Sequence, residues 1–316
     1  MIPRQTTVSR RPPGESRLIQ GVYYAYVLFS AVARAIPERL AYGIAHVLGG
    51  LAARRSKKKE IVARNLSRLM DMPADSPAVQ RMVVAVFRSY ARYWLETFRL
   101  VREGREFFLE RFHGQGEENI DAALARGKGA IVVVGHLGNW DAAGAWVGAR
   151  GNSLVTVAEV LKPRRMFDFF VEHRARLGMT IYPAEPGVTD KLVASVEAGA
   201  VVAILGDRDL KGTGPAVTFC GEETTFPAGA ASIAFRTGVP LMVAGVYGIE
   251  LPGGKRGWMA DISEPLELPA ERGEDGIREL TQRVADRLEA LIKARPEEWH
   301  VLQPFWRSDR VTGDPR

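Results

Sequence analysis

The sequence AIVVVGHLGNWD, residues 130–141, joins an unbroken apolar run to a short loop and then to the start of a helix. Five consecutive apolar residues followed by glycine are typical of a strand that is buried on both faces of a sheet. His136 leaves this strand, and Asp141 follows five residues later, in the first turn of the next helix. Gly135 and Gly138 permit the tight turn between the two elements. The stretch therefore predicts a strand–loop–helix unit that carries a histidine and a carboxylate.

Strand and helix signals alternate on both sides of this unit. Further strands are predicted over 154–158, 179–182, 201–205 and 240–247, with an edge strand over 258–262. Helices are predicted over 77–102, 140–150, 164–177, 188–197, 227–237 and 277–294. Such alternation predicts an α/β fold, in which helices flank a central mixed, largely parallel sheet. Ligands of such sheets bind beyond the carboxyl ends of the strands.

Charged side chains gather where three of the predicted strands end. The three ends supply, in chain order, His136 and Asp141, then Glu159, Lys162 and Arg164, and then Asp207 and Arg208. Because parallel strands end at the same edge of a sheet, we expect these groups to surround one site. The sequence therefore predicts a site with one histidine, several carboxylates and several arginines.

The spacing of His136 and Asp141 fits general-base catalysis. A carboxylate that accepts a hydrogen bond from Nδ1–H fixes the tautomer and leaves Nε2 free to take a proton near neutral pH. No serine or cysteine stands beside the pair, so the histidine is expected to deprotonate a substrate hydroxyl directly. This predicts acyl transfer to an alcohol without a covalent enzyme intermediate. The alternative is a histidine and an aspartate that only cap a helix.

The segment FPAG, residues 226–229, suggests a second part of the site. Pro227 suits the first turn of a helix, and Gly229 lets the backbone approach a ligand closely. Amides at that helix start are able to bind a phosphate group. The alternative is an ordinary core helix that begins with proline.

Composition narrows the classes of function. The 316 residues are 46% hydrophobic and 25% charged, as in ordinary globular proteins. A single cysteine, Cys220, excludes a disulfide scaffold and a multi-cysteine zinc site, and no metal site is predicted. No dinucleotide fingerprint or phosphate-binding P-loop is present, so no cofactor is expected.

Charge is concentrated at the N-terminal end. Residues 1–70 hold 13 Lys and Arg against three acids, while the whole chain has a net charge of only +6. Apolar stretches over 18–33 and 40–53 lie in this end, and each is shorter than the ~20 residues that cross a bilayer. Tyrosines in the first stretch and a basic run after the second are typical of helices that lie on an anionic membrane. The alternative is a helical hairpin packed on the body.

Two other roles for the basic end are not expected. Its bases are not interleaved with aromatic residues along one helix, so nucleic acid is not a predicted partner. No small-residue cleavage site follows a single apolar core, so a signal peptide is not predicted.

The chain resembles a known family at several blocks. GHLGNWDAAGAW, TVAEVLKP, GDRDL and FPAGAASIAFRTGVPLM resemble the bacterial lipid A lauroyl/myristoyl acyltransferases, whose H-x4-D motif is shared by the glycerolipid acyltransferase superfamily. The likeness covers about residues 20–307. Upstream of these blocks it includes VARNLSRLM and YARYWLE, and downstream it extends to PEEWHVLQPFW. VAEVLKP, VEHRARLG, RDL and EWHVLQP look most like the actinobacterial phosphatidylinositol mannoside acyltransferase branch.

The resemblance implies roles for single residues. His136 would be the general base, Asp141 its orienting partner and Asp207 a further catalytic carboxylate. The branch has glutamate where this chain has Asp207. Two geometries are possible, a direct contact with His136 or a link through water or Arg208, and the shorter side chain favours the link more than glutamate would. Glu159 and Arg174 match positions that line the acceptor site, with a surface ion pair and a solvated helix face as alternatives. Lys162, Arg164 and Arg208 would meet phosphates.

The resemblance also implies an activity and a location. The branch acylates a mannose hydroxyl of a phosphatidylinositol glycolipid with acyl-CoA, and its substrates are made at the cytoplasmic face of the membrane. The corresponding organisation is a flexible tail over 1–16, membrane-associating helices over 17–70, an acyltransferase domain over 71–306 and a second tail over 307–316. The alternatives are a lipid A-type enzyme that uses acyl carrier protein, whose docking would need a basic patch, and a catalytically silent lipid-binding protein.

Overall fold

A computed structural model describes residues 17–161, 164–209 and 212–309. Its N-terminal part consists of α1 (Arg17–Ala35), α2 (Glu38–Arg55), α3 (Lys59–Met70), α4 (Pro77–Leu100) and α5 (Arg105–Arg111). There follow β1 (Phe112–Gln115), α6 (Glu117–Leu124), β2 (Ala130–Val134), α7 (Trp140–Ala149), β3 (Leu154–Ala158), α8 (Arg164–Arg176), β4 (Met179–Pro183), α9 (Val188–Glu197) and β5 (Val201–Leu205). The C-terminal part contains β6 (Ala216–Phe219), β7 (Glu222–Thr225), α10 (Gly229–Thr237), β8 (Leu241–Leu251), β9 (Lys255–Ile262) and α11 (Glu274–Ala294).

Seven strands form one sheet in the order β1-β9-β8-β2-β5-β3-β4. Every neighbouring pair is parallel except β8 and β9, which run antiparallel. The predicted mixed, largely parallel sheet is therefore confirmed. Strand β9 is not an edge strand as predicted, because β1 pairs with its outer side. Strands β6 and β7 form a separate antiparallel hairpin.

Helices cover both faces of the sheet, as predicted. Alternate residues of β2 enter different cores: Ile131 and Val133 pack with α9, α10 and α11, whereas Val132 and Val134 pack with α6 and α7. Both faces of this central strand are therefore apolar, which explains the unbroken run in the sequence.

Helix α2 packs along α4 through small residues. Ala41, Ala45 and Ala53 are buried, and a Cβ at Gly49 would lie 2.6 Å from the Cα of Arg88. Both helices also carry exposed larger apolar side chains, namely Tyr24, Val27, Leu28, Phe29 and Val32 on α1, and Leu40, Ile44, Val47, Leu48 and Leu51 on α2. Among the described residues, no helix has the length and apolar character needed to cross a bilayer.

Two further boundaries differ from prediction. The helix predicted from Pro227 begins at Gly229. Residues 307–309, assigned to a tail, form a 3-10 turn in which Asp309 lies 2.8 Å from Arg68 Nη1. The tail predicted over 1–16 lies outside the described residues.

Candidate active site

His136 lies in the loop between β2 and α7, at the carboxyl edge of the sheet. The loop turns at Gly138, which has φ +62° and whose missing Cβ would stand 2.1 Å from the carbonyl oxygen of Val246. Only glycine fits both the left-handed backbone and this close approach. Asn139 then caps α7, because its Oδ1 accepts a hydrogen bond from Ala142 N–H at 3.0 Å.

The segment that follows α11 holds the histidine loop in place. Gly138 N–H donates to the carbonyl of Glu298 at 2.9 Å, and His300 N–H donates to the carbonyl of His136 at 2.7 Å. The PEEWH stretch of the sequence is therefore the partner of the GHLG stretch, although about 160 residues separate them. Both contacts use backbone atoms, so they do not depend on the imidazole.

Asp207 is the carboxylate that contacts His136. Its Oδ1 lies 2.6 Å from Nδ1 of the imidazole, and its Oδ2 accepts hydrogen bonds from His136 N–H at 2.9 Å and from Trp299 Nε1–H at 3.0 Å. Burial opposes the charged form, but His136 and the Trp299 hydrogen bond bring the pKa of Asp207 below its ordinary value. Of the two geometries that the sequence left open, the structure has the direct contact, in spite of the shorter side chain.

Asp141 does not orient His136, which corrects the expectation from the H-x4-D spacing. Its Oδ1 lies 2.6 Å from Nε of Arg174, while Oδ2 accepts from the hydroxyls of Tyr93 at 3.1 Å and Thr97 at 3.3 Å. Burial would raise the pKa of this carboxyl, but the charge and hydrogen bond of Arg174 hold it below the ordinary value. Asp141 therefore joins α7 to α4 and α8 instead of touching the imidazole.

We expect Asp141→Ala to lower the free energy of unfolding by about 3–5 kcal/mol at pH 7, since it leaves the Arg174 guanidinium buried without its partner. In the double variant with Arg174→Met, part of this loss is recovered. The folded pKa of Asp141 is depressed, so its contribution is complete above the unfolded pKa of about 3.9 and is lost as pH falls through the folded value. Urea unfolding at pH 7 and pH 3 measures both effects, and a single variant as stable as the parent would contradict the assignment.

A cavity of about 1470 Å³ opens at His136. One wall is the sheet face formed by Val132, Val134, Ala203 and Leu205, and the opposite wall comes from α7 and α8. Ala203 and Leu205 are only half-buried although β5 lies in the middle of the sheet, so the helices leave a groove over this face. The described residues that line the cavity include no serine and no cysteine.

The other predicted site residues separate into three groups. Glu159, Arg174, Arg208 and Gly229 line the cavity with His136, Asp141 and Asp207. Arg164 is not among these residues: it is exposed and lies 3.2 Å from Asp168 and 3.6 Å from Glu185, and its contact with phosphates stays a prediction. Lys162 lies outside the described residues.

Arg208 is the cation nearest to the imidazole among the described contacts, with Nη1 at 3.4 Å from Nε2 of His136. A guanidinium there is suited to an oxyanion or a phosphate. Gly229, which also lines the cavity, begins α10, and a Cβ on it would meet no atom within 4 Å. No group of three or more His, Cys, Asp or Glu able to hold a metal ion occurs within residues 17–161, 164–209 and 212–309.

Sequence reasoning missed three residues that hold the two carboxylates. Trp299 donates to Asp207, and Tyr93 and Thr97 donate to Asp141. These residues lie in or beside the YARYWLE and PEEWH stretches, which the sequence analysis used only as blocks that resemble the acyltransferase family. No spacing rule relates them to His136, because each comes from a distant part of the chain.

Comparison with known proteins agrees with this architecture. The profile of the bacterial lipid A biosynthesis acyltransferase family matches residues 13–308. Two curated relatives, from two strains of Mycobacterium tuberculosis, are called phosphatidylinositol mannoside acyltransferase; each is 34% identical over 292 residues, covering 90% of this chain and 89% of the relative. A third with the same name, from Mycolicibacterium smegmatis, is 35% identical over 280 residues, covering 87% and 88%. The chain therefore belongs to the bacterial lipid A biosynthesis acyltransferase family and is an acyltransferase.

Proposed function

We propose that this acyltransferase moves a long acyl chain from acyl-CoA to a mannose hydroxyl of a phosphatidylinositol mannoside. The observation that carries the proposal is the His136–Asp207 pair, which is joined at 2.6 Å and lines a large, mainly apolar cavity. The acceptor class comes from the names of relatives that are 34–35% identical over about 90% of the chain.

In the proposed reaction, His136 acts as a general base without a covalent enzyme intermediate. Its Nε2 takes the proton of the acceptor hydroxyl while that oxygen attacks the thioester carbonyl carbon. The tetrahedral intermediate then breaks its C–S bond, and the CoA thiolate leaves and takes up the proton. Asp207 stabilises the imidazolium that forms between the two steps, and the charge of Arg208, 3.4 Å from Nε2, is placed to stabilise the oxyanion.

The groove over β5 supports a long-chain donor. Its walls are apolar, and its volume exceeds the ~300–1,000 Å³ of pockets that enclose drug-sized ligands. The charged residues Glu159, Arg174 and Arg208 line the same cavity, and we propose that they form its polar rim. We assign the groove to the acyl chain and the rim to the polar groups of donor and acceptor.

Product analysis tests the proposal directly. The purified enzyme is offered palmitoyl-CoA or a palmitoylated acyl carrier protein, each with a phosphatidylinositol mannoside, a lipid A precursor, or no acceptor. We expect mass spectrometry to detect one added acyl group on the mannoside with the CoA donor. Acylation of the lipid A precursor from the carrier protein alone would overturn the proposal in favour of the lipid A-type reaction.

We propose further that the enzyme acts as a peripheral protein at the cytoplasmic face of an anionic membrane. The exposed apolar side chains of α1 and α2 support this, as does the basic run over 54–59 that follows α2. Apolar side chains beside a basic run bind the interface through both burial and charge.

For the membrane contact, we expect the double variant Leu28→Ser, Leu48→Ser to bind anionic vesicles at least about tenfold more weakly, because both side chains are more than half exposed and would lose burial in the lipid. The matched control is Met72→Ser, an exposed apolar residue outside α1 and α2. Vesicle sedimentation measures binding, and raised salt should weaken it for the parent protein. Unchanged binding of the double variant would contradict this interface.

A further inference from the structure

Two buried polar atoms beside His136 have no hydrogen-bond partner among the residues that the structure describes: the Nε1–H of Trp140 and the Nδ1 of His300. The two rings are 6.3 Å apart, and the Trp140 ring is 5.4 Å from that of His136. All three residues line the cavity. A buried polar group without a partner costs about 1–3 kcal/mol, so two such groups on neighbouring rings call for an explanation.

The hydrogen bonds around His300 fix its tautomer. The hydroxyl of Ser89 donates its single proton to Glu298 at 2.7 Å, so towards His300 Nε2, at 2.9 Å, it acts as an acceptor. Nε2 therefore carries a proton. Burial and the charge of Arg92 hold the pKa of His300 well below its ordinary value, so the ring is neutral and Nδ1 is an unprotonated lone pair.

The second group has the opposite polarity, because the indole N–H of Trp140 is only a donor. The two unpartnered atoms therefore offer one acceptor and one donor. A phosphate or carboxylate would satisfy Trp140 but would face the lone pair of His300, and an ammonium group would leave Trp140 unpaired. A hydroxyl matches both, because it donates one proton and accepts at its oxygen.

We propose that Trp140 and His300 form a subsite for a second, non-reacting hydroxyl of the acceptor, which donates to His300 Nδ1 and accepts from Trp140 Nε1–H. This inference rests on the proposed function, in which the acceptor is a sugar with several hydroxyls. The contact would hold the sugar ring while the reacting hydroxyl meets Nε2 of His136. Trp140 and His300 are then binding residues that select the hydroxyl to be acylated, and neither takes part in proton transfer.

The inference predicts the effect of two conservative variants. Trp140→Phe removes the donor and keeps a ring, while His300→Gln keeps an amide donor for Ser89 and removes the Nδ1 acceptor. We expect each to raise KM for a mannoside acceptor about tenfold, since a site built for a hydroxyl rejects a mismatch strongly. KM for palmitoyl-CoA should not change, and thermal unfolding shows whether the fold is retained. Trp306→Phe is the matched control, because Trp306 does not line the cavity and its indole N–H donates to the carbonyl of Phe219.

Deoxygenated acceptors make the test specific. Methyl α-mannoside and its four monodeoxy analogues are assayed with palmitoyl-CoA and the three proteins. For the parent enzyme, loss of one particular non-reacting hydroxyl should raise KM about tenfold, and the same deletion should have no further effect in Trp140→Phe or His300→Gln.

The outcomes separate the two proposals. If every analogue raised KM by the same factor in the parent and in both variants, the proposed subsite would be wrong. The two atoms would then face water or only support the fold. If the parent enzyme acylates other acceptors but no mannoside, the proposed function fails and the subsite is withdrawn with it.

Discussion

His136→Ala is expected to lower the rate of acyl transfer by about 10²- to 10⁴-fold, the usual effect of losing a general base. The imidazole lines the cavity, its Nδ1 is held by Asp207, and its Nε2 lies 3.4 Å from Nη1 of Arg208. The variant should still fold, because the loop is held by backbone atoms: His136 N–H donates to Asp207, and its carbonyl accepts from His300. Turnover with palmitoyl-CoA, measured beside the thermal unfolding midpoint, tests both parts of the expectation.

A second histidine provides the control for this experiment. His113, on β1, is exposed and does not line the cavity, so His113→Ala should transfer acyl groups at the parental rate. If a folded His136→Ala protein also kept near-normal turnover, the general-base mechanism would be wrong. If both His136→Ala and His113→Ala lost activity, the cause would be damage to the protein preparation. Lowered thermal unfolding midpoints of the two variants would reveal such damage.

Periodicity was sufficient to predict most of the sheet. All five residues of β2 are apolar and buried, and all five of β5 are apolar, so the two strands and the positions of His136 and Asp207 just beyond their ends follow from the pattern alone. Strand β1, by contrast, has the sequence FHGQ, and strand β7 has EETT. Neither strand contains consecutive apolar residues, because β1 lies at the sheet edge and β7 lies in a small hairpin. The sequence analysis therefore predicted neither of them.

The partner of His136 could not be predicted from spacing. An H-x4-D motif places Asp141 near the imidazole in sequence, but the first turn of α7 directs this carboxylate to Arg174, Tyr93 and Thr97 instead. Which side chain faces which is decided by how α4 and α8 pack on α7, and this information is not local. Asp207 was included in the site because a neighbouring strand ends there, and that reasoning used the sheet topology and not the spacing.

Asp207→Asn is the second change for which we expect a large loss, of about 10³- to 10⁴-fold. The backbone N–H of His136 and the indole N–H of Trp299 both require an acceptor at the position of Oδ2, so the amide oxygen takes that place and the NH₂ group faces Nδ1. Nδ1 must then accept, and the ring proton moves to Nε2. A histidine protonated at Nε2 cannot take the proton of a hydroxyl, and the same replacement in the serine protease triad causes a loss of this size.

The tautomer itself is measurable, which separates this mechanism from simple damage. Nitrogen NMR of labelled histidine should show the His136 proton on Nδ1 in the parent protein and on Nε2 in Asp207→Asn. The control is Asp286→Asn, which changes an exposed carboxylate on α11.

Asp207→Glu keeps the charge but adds a methylene where the parent side chain is fully buried, so overpacking costs about 1–3 kcal/mol of stability. We therefore expect Asp207→Glu to be less stable than the parent yet more active than Asp207→Asn. An Asn variant as active as the parent, with its proton still on Nδ1, would show that Asp207 does not set the tautomer, since a neutral amide would then serve the imidazole as well as the carboxylate does.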